Sequence, residues 1–267
     1  MTEKDKIRRI CEEIEKEQKI TILFCVENGS RAWNMHSKDS DYDIRFVYKR
    51  NVESYLALNK SPEVITKSYN KELEPCEAKG CEYDVVGFDV YKFSRMLQSS
   101  NPTTIEWLMS PILYYGAIPE RLYDFATEQY NPMALYHHYR GMCRQNYDKY
   151  LKSGKFITYK KYLYAMRGLV NAKFVLEVGE LPEVDFLDML DAVDRFHEGW
   201  SVAPRKVTDK LREIIRLKKD QRESDITENV VMLDQHIEEF LSQKQEPLSR
   251  RSFTDYLDKY VVDEVQK

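Results

Sequence analysis

Residues 20–49, ITILFCVENGSRAWNMHSKDSDYDIRFVYK, decide the reading of this chain. An apolar run ends at Asn28-Gly29-Ser30. A polar excursion follows, and then a second apolar stretch opens with Asp41 and Asp43. Residues i and i+2 of a strand leave the same face, so these two carboxylates point the same way, with Arg45 and Val47 beside them. Ile44, Phe46 and Tyr48 share the opposite, core-facing side. Two carboxylates that close repel each other unless a cation stands between them. A divalent ion is the usual solution, and Mg²⁺ prefers one or two carboxylates together with substrate phosphates. Gly29 and Ser30, ahead of the aspartates, suit a turn whose amides face a phosphate. The combination points to metal-assisted phosphoryl chemistry. A solvated acidic loop would explain SKDSDYD alone, but not the Gly-Ser turn in front of it.

The 267 residues suffice for one large or two small domains, and the net charge of −4 gives no global basic field for nucleic acid. Charged residues at 32% and hydrophobic ones at 42% suit a globular protein, and no apolar run reaches membrane-spanning length. The opening MTEKDKIRRI has no apolar signal-peptide core, so a cytoplasmic location and no membrane partner are expected. Five scattered cysteines, Cys11, Cys25, Cys76, Cys81 and Cys143, contain no paired zinc motif and read as buried or incidental thiols in a reducing compartment.

Outward from the central stretch, 3–18 has the apolar spacing of an amphipathic helix through Ile7, Ile10, Cys11 and Ile14, with Thr2 as N-cap. Residues 20–26 and 41–48 read as strands, 31–35 as a helical turn and 52–58 as a short helix. The polar stretch 63–79 reads as a loop or weak hairpin. Residues 83–88 form a third strand carrying Asp84, and Asp89 caps the helix that follows. Pro102 starts another helix, and 111–117 is extended or turning. Beyond residue 118 the pattern is helical almost throughout: 132–151, 158–178, 187–197, 207–219, 227–241 and 253–262. The expected fold is α+β, with a catalytic domain at 1–118 built on a mixed sheet with helices. A helical domain at 119–267 closes the nucleotide cleft and ends in a candidate mobile helix at 247–267.

Gly29-Ser30, Asp41-x-Asp43 and an acidic residue on a later strand resemble the signature of the DNA polymerase β nucleotidyltransferase superfamily. More narrowly, GSRAW, SDYDIRFVY, GFDVYKF, NPTTIEWL and KKYLYAMRGL resemble the RNA-ligase-associated (RlaP) nucleotidyltransferase family. The resemblance implies a metal-dependent, template-independent transfer of a nucleoside monophosphate from an NTP or dNTP to a hydroxyl, with release of pyrophosphate. Two Mg²⁺ (or Mn²⁺) ions, about 3.5–4 Å apart, would clamp the attacking and leaving oxygens. Asp41 and Asp43 would hold both, and Asp84 would complete the set. Asp89, which helix capping already explains, is the rival third ligand, and Glu82 is a minor one. Gly29, Ser30 and Arg31 would meet the phosphates. Arg45 either pairs with the carboxylates or reaches substrate. By analogy with the family, roles in RNA repair, antiviral defence or toxin control come into view.

Residues 149–173 carry seven basic side chains and no acidic one. Lys160, Tyr164 and Arg167 fall on one helical stripe with Lys161 one step round. Lys160, Lys161 and Arg167 are candidates for the triphosphate, and Tyr164 for the base. A solvated basic face with packing tyrosines is the competing explanation. A ribonuclease reading is disfavoured, because no arginine of the helical part has a histidine at R-x(4–6)-H spacing. His137, His138 and His197 are taken as structural or surface residues. The best acceptor is a nucleic-acid 3′-hydroxyl or growing oligonucleotide. The alternative is a protein hydroxyl, including Tyr256 or Tyr260 of the C-terminal segment, and a non-catalytic nucleotide-binding regulator is the second alternative.

Overall fold

The computed structural model describes residues 1–77, 80–195, 202–222, 225–243 and 254–266, with backbone alone at 254–256 and 259. The chain divides into two compact units: Met1–Ala32, Asp41–Gln129 and Arg251–Lys267 form unit 1, and Trp33–Ser40 with Tyr130–Arg250 form unit 2.

Unit 1 runs α1 (Glu3–Gln18), β1 (Thr21–Asn28), α2 (Gly29–Ala32), β2 (Tyr42–Lys49), α3 (Val52–Leu56), β3 (Val64–Tyr69), β4 (Tyr83–Asp89), α4 (Val90–Gln98), α5 (Pro102–Leu108), β5 (Leu113–Gly116) and α6 (Glu120–Glu128). The sheet order is β3-β4-β2-β1-β5, with β2 and β4 parallel and the other neighbours antiparallel. This is the α+β, mixed-sheet architecture expected from the sequence. Helix α1 starts with a capping box between Thr2 and Asp5. Its buried stripe, Ile7, Ile10, Cys11 and Ile14, packs with Ile44, Phe46 and Tyr48 of β2 in one core layer. The other face of the sheet is closed by aromatic packing, with Phe24 5.7 Å from Phe93 and Phe88 4.7 Å from Trp107 between ring centroids. Strand β1 is therefore buried on both faces, as its continuous apolar run requires.

Three segments are more ordered than their composition suggests. The polar stretch after Pro62 contains β3, an edge strand whose residues alternate in burial against β4. The turn after β3 is built on Asn70, whose side-chain oxygen accepts from the N–H groups of Glu72 and Glu74. It brings Cys76 and Cys81 to a Cα separation of 6.0 Å, where they form a disulfide. These two are thus not the incidental thiols expected, whereas Cys11, Cys25 and Cys143 are free and buried. The extended stretch before Pro119 is β5, paired with β1. Its pairing, and the packing of α6 on α5, keep residues up to Gln129 with the sheet.

Unit 2 comprises α7 (Pro132–Asn146), a π turn (Tyr147–Leu151), α8 (Tyr159–Glu177), α9 (Phe186–Arg195), α10 (Arg205–Asp220) and α11 (Val231–Ser242). Helix α8 is buried on most sides and packs chiefly on α7. The Trp33–Ser40 segment is bound among these helices. The Lys218 ammonium donates to the Met35 carbonyl at 2.6 Å, and the Phe186 N–H donates to the Trp33 carbonyl at 3.0 Å. The final helix, α12 (Thr254–Gln266), packs on α4 and so belongs to unit 1, although it lies within the span read as the helical domain. His197 and Pro247 lie outside the described residues. No described helix is long and apolar enough to cross a membrane.

Candidate active site

The pairing of β2 with β4 places Asp43 directly beside Asp84, and the pairing of β2 with β1 places Asp43 beside Asn28, one residue ahead of Gly29. Three sequence-distant pieces thus meet at one end of the sheet of unit 1. A single nitrogen, Nη2 of Arg45, donates to Asp43 Oδ1 at 2.8 Å and to Asp84 Oδ2 at 2.9 Å. Its Nη1 donates to the carbonyls of Asp84 and Ile44. Of the two roles open to Arg45 in the sequence, pairing with the carboxylates is the one present here.

The second oxygen of Asp43 faces Gly29. That residue has φ +67°, and a Cβ built on it would lie 2.0 Å from Asp43 Oδ2. Gly29 therefore serves two ends: it allows a left-handed turn, and it leaves the space the carboxylate occupies. Ser30 follows within the four-residue α2 and is 2% exposed. Arg31 donates from Nε to the Asp41 carbonyl at 3.0 Å, and its guanidinium lies 3.8 Å from the centroid of the Tyr42 ring. That contact fixes the chain entering β2.

Asp41 lies one residue before β2, which begins at Tyr42 and not at Asp41. Among the described residues, no three His, Cys, Asp or Glu side chains are placed together to hold a metal ion. The trio Asp41, Asp43 and Asp84 is thus not a ready-made cage; the gathered pair is Asp43 with Asp84. Asp89 sits at the far end of β4, opposite Tyr48, where it accepts from the Tyr91 N–H and the Tyr55 hydroxyl. Its N-cap role accounts for it. Glu82 precedes β4, and its carbonyl accepts from the Tyr42 N–H.

One residue of the site was not singled out from the sequence. Glu27 is fully buried, accepts from the Asp43 N–H at 2.8 Å through Oε1, and accepts from the Tyr114 hydroxyl at 2.6 Å through Oε2. Burial pushes its carboxyl up to about 7, against the opposing hydrogen bonds from Tyr114 and the Asp43 backbone. The signal was available: Glu27 is the one charge in ILFCVENGS, and a charge inside a buried strand needs a partner.

Two carboxylates already converged on one cationic nitrogen fit a hard divalent ion. Such an ion takes one or two protein carboxylates and completes its shell with water and phosphate oxygens.

In unit 2, Lys160, Lys161 and Tyr164 line one cavity. Arg167 does not join them: it is 2% exposed, with its guanidinium 4.0 Å from the centroid of the Trp33 ring. Tyr164 meets the same indole edge-on at 5.4 Å. Of the two tyrosines considered as acceptors, Tyr260 is 3% exposed within α12, and the side chain of Tyr256 lies outside the described residues.

A model of the RlaP family, described as an RNA repair pathway DNA polymerase beta family, matches residues 4–263. The uncharacterized protein YcgL of Bacillus subtilis (strain 168) is 28% identical over 270 residues, covering 98% of this chain and 95% of that one. Among solved structures, spectinomycin adenyltransferase AAD(9) from Enterococcus faecialis, with ATP and spectinomycin, is 10% identical with a TM-score of 0.48, covering 90% of this chain and 98% of that one. A nucleotidyltransferase-like protein from Exiguobacterium sibiricum 255-15 is 14% identical with a TM-score of 0.33, covering 98% and 76%.

Proposed function

Because the chain belongs to this RNA repair pathway DNA polymerase beta family of nucleotidyltransferases, we propose that it moves a nucleoside monophosphate from an NTP or dNTP to a nucleic-acid 3′-hydroxyl without a template. The observation that carries the reading is the convergence of Asp43 and Asp84, from neighbouring parallel strands, on one nitrogen of Arg45.

In this mechanism the Arg45 guanidinium stands in for the cation of the working site and withdraws when nucleotide arrives. Asp43 and Asp84 would hold a divalent metal there, Mg²⁺ or Mn²⁺, with Asp41, one residue before β2, as a further ligand. Bound there, the metal supplies charge neutralisation for the triphosphate and for the attacking oxygen. Gly29 keeps the backbone close, so that phosphate oxygens can approach the turn amides and the Ser30 hydroxyl. Arg31 contributes a positive charge beside that turn. Glu27 holds the backbone of Asp43 and keeps its carboxylate in one orientation. The acceptor hydroxyl gives up its proton to solvent water as its oxygen bonds the α-phosphorus; the bond from that phosphorus to the β-phosphate oxygen breaks, and pyrophosphate leaves. The burial of Tyr260 counts against that residue as acceptor.

The test is incubation with each α-labelled NTP and dNTP, Mg²⁺ and a short oligonucleotide, followed by a denaturing gel and an intact-mass measurement. The expected product is an extended oligonucleotide and unmodified protein. A protein adduct without strand extension would overturn the choice of acceptor, and no incorporation from any nucleotide would overturn the transfer itself.

A further inference from the structure

We propose that the basic, aromatic cavity of unit 2 binds the unpaired end of the strand that accepts the nucleotide. This rests on the nucleotidyl-transfer reading above and names the partner of that reaction.

The cavity measures about 520 Å³ and is lined by Tyr150, Phe156, Lys160, Lys161, Tyr164 and Ile226, among others. Its chemistry departs from that of the chain as a whole. The protein carries a net charge of −4, yet between residues 149 and 173 there is no Asp or Glu, while Lys149, Lys152, Lys155, Lys160, Lys161, Arg167 and Lys173 all fall there. Arg167 of that run is buried, and Lys152 and Lys173 pair with Asp148 and Glu177; Lys149, Lys160 and Lys161 stand beside the rings of the cavity, a local cationic lining on an acidic protein that suits a polyanion.

The apolar part is equally unusual. Phe156 is 73% exposed and sits at φ +53°, a left-handed conformation that bulky residues avoid. Its carbonyl is tied down by the Lys161 ammonium at 2.6 Å. Opposite it in sequence, Ile226 is 64% exposed and is held by a bridge to Thr158 and by the Thr227 N–H on the Ile157 carbonyl at 2.8 Å. Tyr150 lies in the π turn that directly follows α7, a rare geometry that recurs at functional sites. Its ring is flanked by the ammonium groups of Lys149 at 4.9 Å and Lys161 at 5.3 Å. Lys160 lies 5.7 Å from the ring of Tyr164.

Three rings for base faces, two of them with an ammonium alongside for a phosphate, describe a platform for single-stranded nucleic acid. A paired strand hides its base faces inside the duplex, so the rings select unpaired nucleotides. A free mononucleotide has one base, whereas the cavity offers three rings.

The experiment is fluorescence anisotropy on the full-length protein, without metal, using labelled oligonucleotides of about 12 residues as single-stranded RNA, single-stranded DNA and duplex. ATP is titrated separately in an independent binding measurement. Tight binding of a single strand, with RNA or DNA preferred according to the arm, is the expected result. Phe156→Ala should weaken it about tenfold, since one stacked base is lost. The double change Lys160→Glu and Lys161→Glu should weaken it further and flatten its salt dependence. Asp43→Asn should bind the strand as the wild type does, so a failure of catalysis and a failure of strand binding are read separately. Circular dichroism establishes that each variant is folded. The proposal is overturned if single strands do not bind, if duplex binds equally well, or if the folded variants lose ATP affinity while strand affinity is unchanged.

Discussion

Replacing Gly29 by alanine tests the site where backbone and chemistry meet. The new Cβ would stand 2.0 Å from Asp43 Oδ2 and 2.7 Å from its Cγ. A carbon–oxygen contact normally stays beyond about 3.3 Å, so Asp43 or the turn must move by about 1 Å. Asp43 cannot simply retreat, since Arg45 holds Oδ1 at 2.8 Å and Glu27 holds its N–H at 2.8 Å. The left-handed backbone, φ +67°, costs alanine about 1–2 kcal/mol. Loosening a partly exposed ion pair adds up to about 1 kcal/mol. The sum, about 2–3 kcal/mol, lowers the melting transition of unit 1 by about 5–10 °C in calorimetry. Turnover should suffer more than stability, because a misplacement of about 1 Å in a catalytic group costs about a hundredfold. Gly179 has φ +79° and nothing within 4 Å of a built Cβ, so Gly179→Ala meets the backbone cost alone. It should lower stability by about 1–2 kcal/mol and leave turnover unchanged. If Gly29→Ala matches Gly179→Ala in melting and keeps wild-type turnover, the packing of Asp43 against Gly29 does not govern the site.

Three other outcomes follow from the same structure. Arg45→Gln leaves Asp43 and Asp84 facing each other without their shared cation, so thermal stability in chelator should drop by about 1–2 kcal/mol, and Mg²⁺ should raise the melting temperature of the variant more than that of the wild type. Burial, with Lys173 and Lys206 nearby, holds the pKa of His236 below 6.5. The unfolded chain therefore binds the proton first as pH falls. Stability conferred by neutral His236 is full above pH 6.5 and is lost as pH drops below it, and His236→Gln should show a flatter fall in melting temperature from about pH 7.5 to about pH 5.5. The Cys76–Cys81 bridge closes a loop with a sequence separation of 5, which is worth about 2 kcal/mol in chain entropy. Reductant should lower the melting temperature of the wild type and leave Cys76→Ser/Cys81→Ser unmoved.

How much of this was legible beforehand depends on the range of the interaction. The stripe Ile7, Ile10, Cys11 and Ile14 and the alternation along β2 are local periodicities, and both appear in the core where they were expected. The turn at Gly29 and the aspartates at 41 and 43 could be read because their spacing along the chain matters. The side-by-side placement of Asp43 and Asp84 requires parallel pairing of β2 and β4, which no local pattern encodes. Strand β3 was obscured by polar composition, since an edge strand needs only half its residues buried. Glu27 was passed over because its significance arises from Asp43 and Tyr114, 16 and 87 residues away. Arg167 followed a helical stripe to the wrong conclusion about solvent. The stripe is real, but Trp33, from a segment read as part of the other domain, covers it.

The most direct measurement is turnover of α-labelled nucleotide by Asp43→Asn, Asp84→Asn and Asp89→Asn side by side with the wild type, at saturating Mg²⁺. Pairing of Asp43 with Asp84 predicts at least a hundredfold loss in each of those two, with activity retained in Asp89→Asn, whose carboxylate caps α4 at the opposite end of the strand. Full activity of Asp84→Asn together with a dead Asp89→Asn would contradict the account.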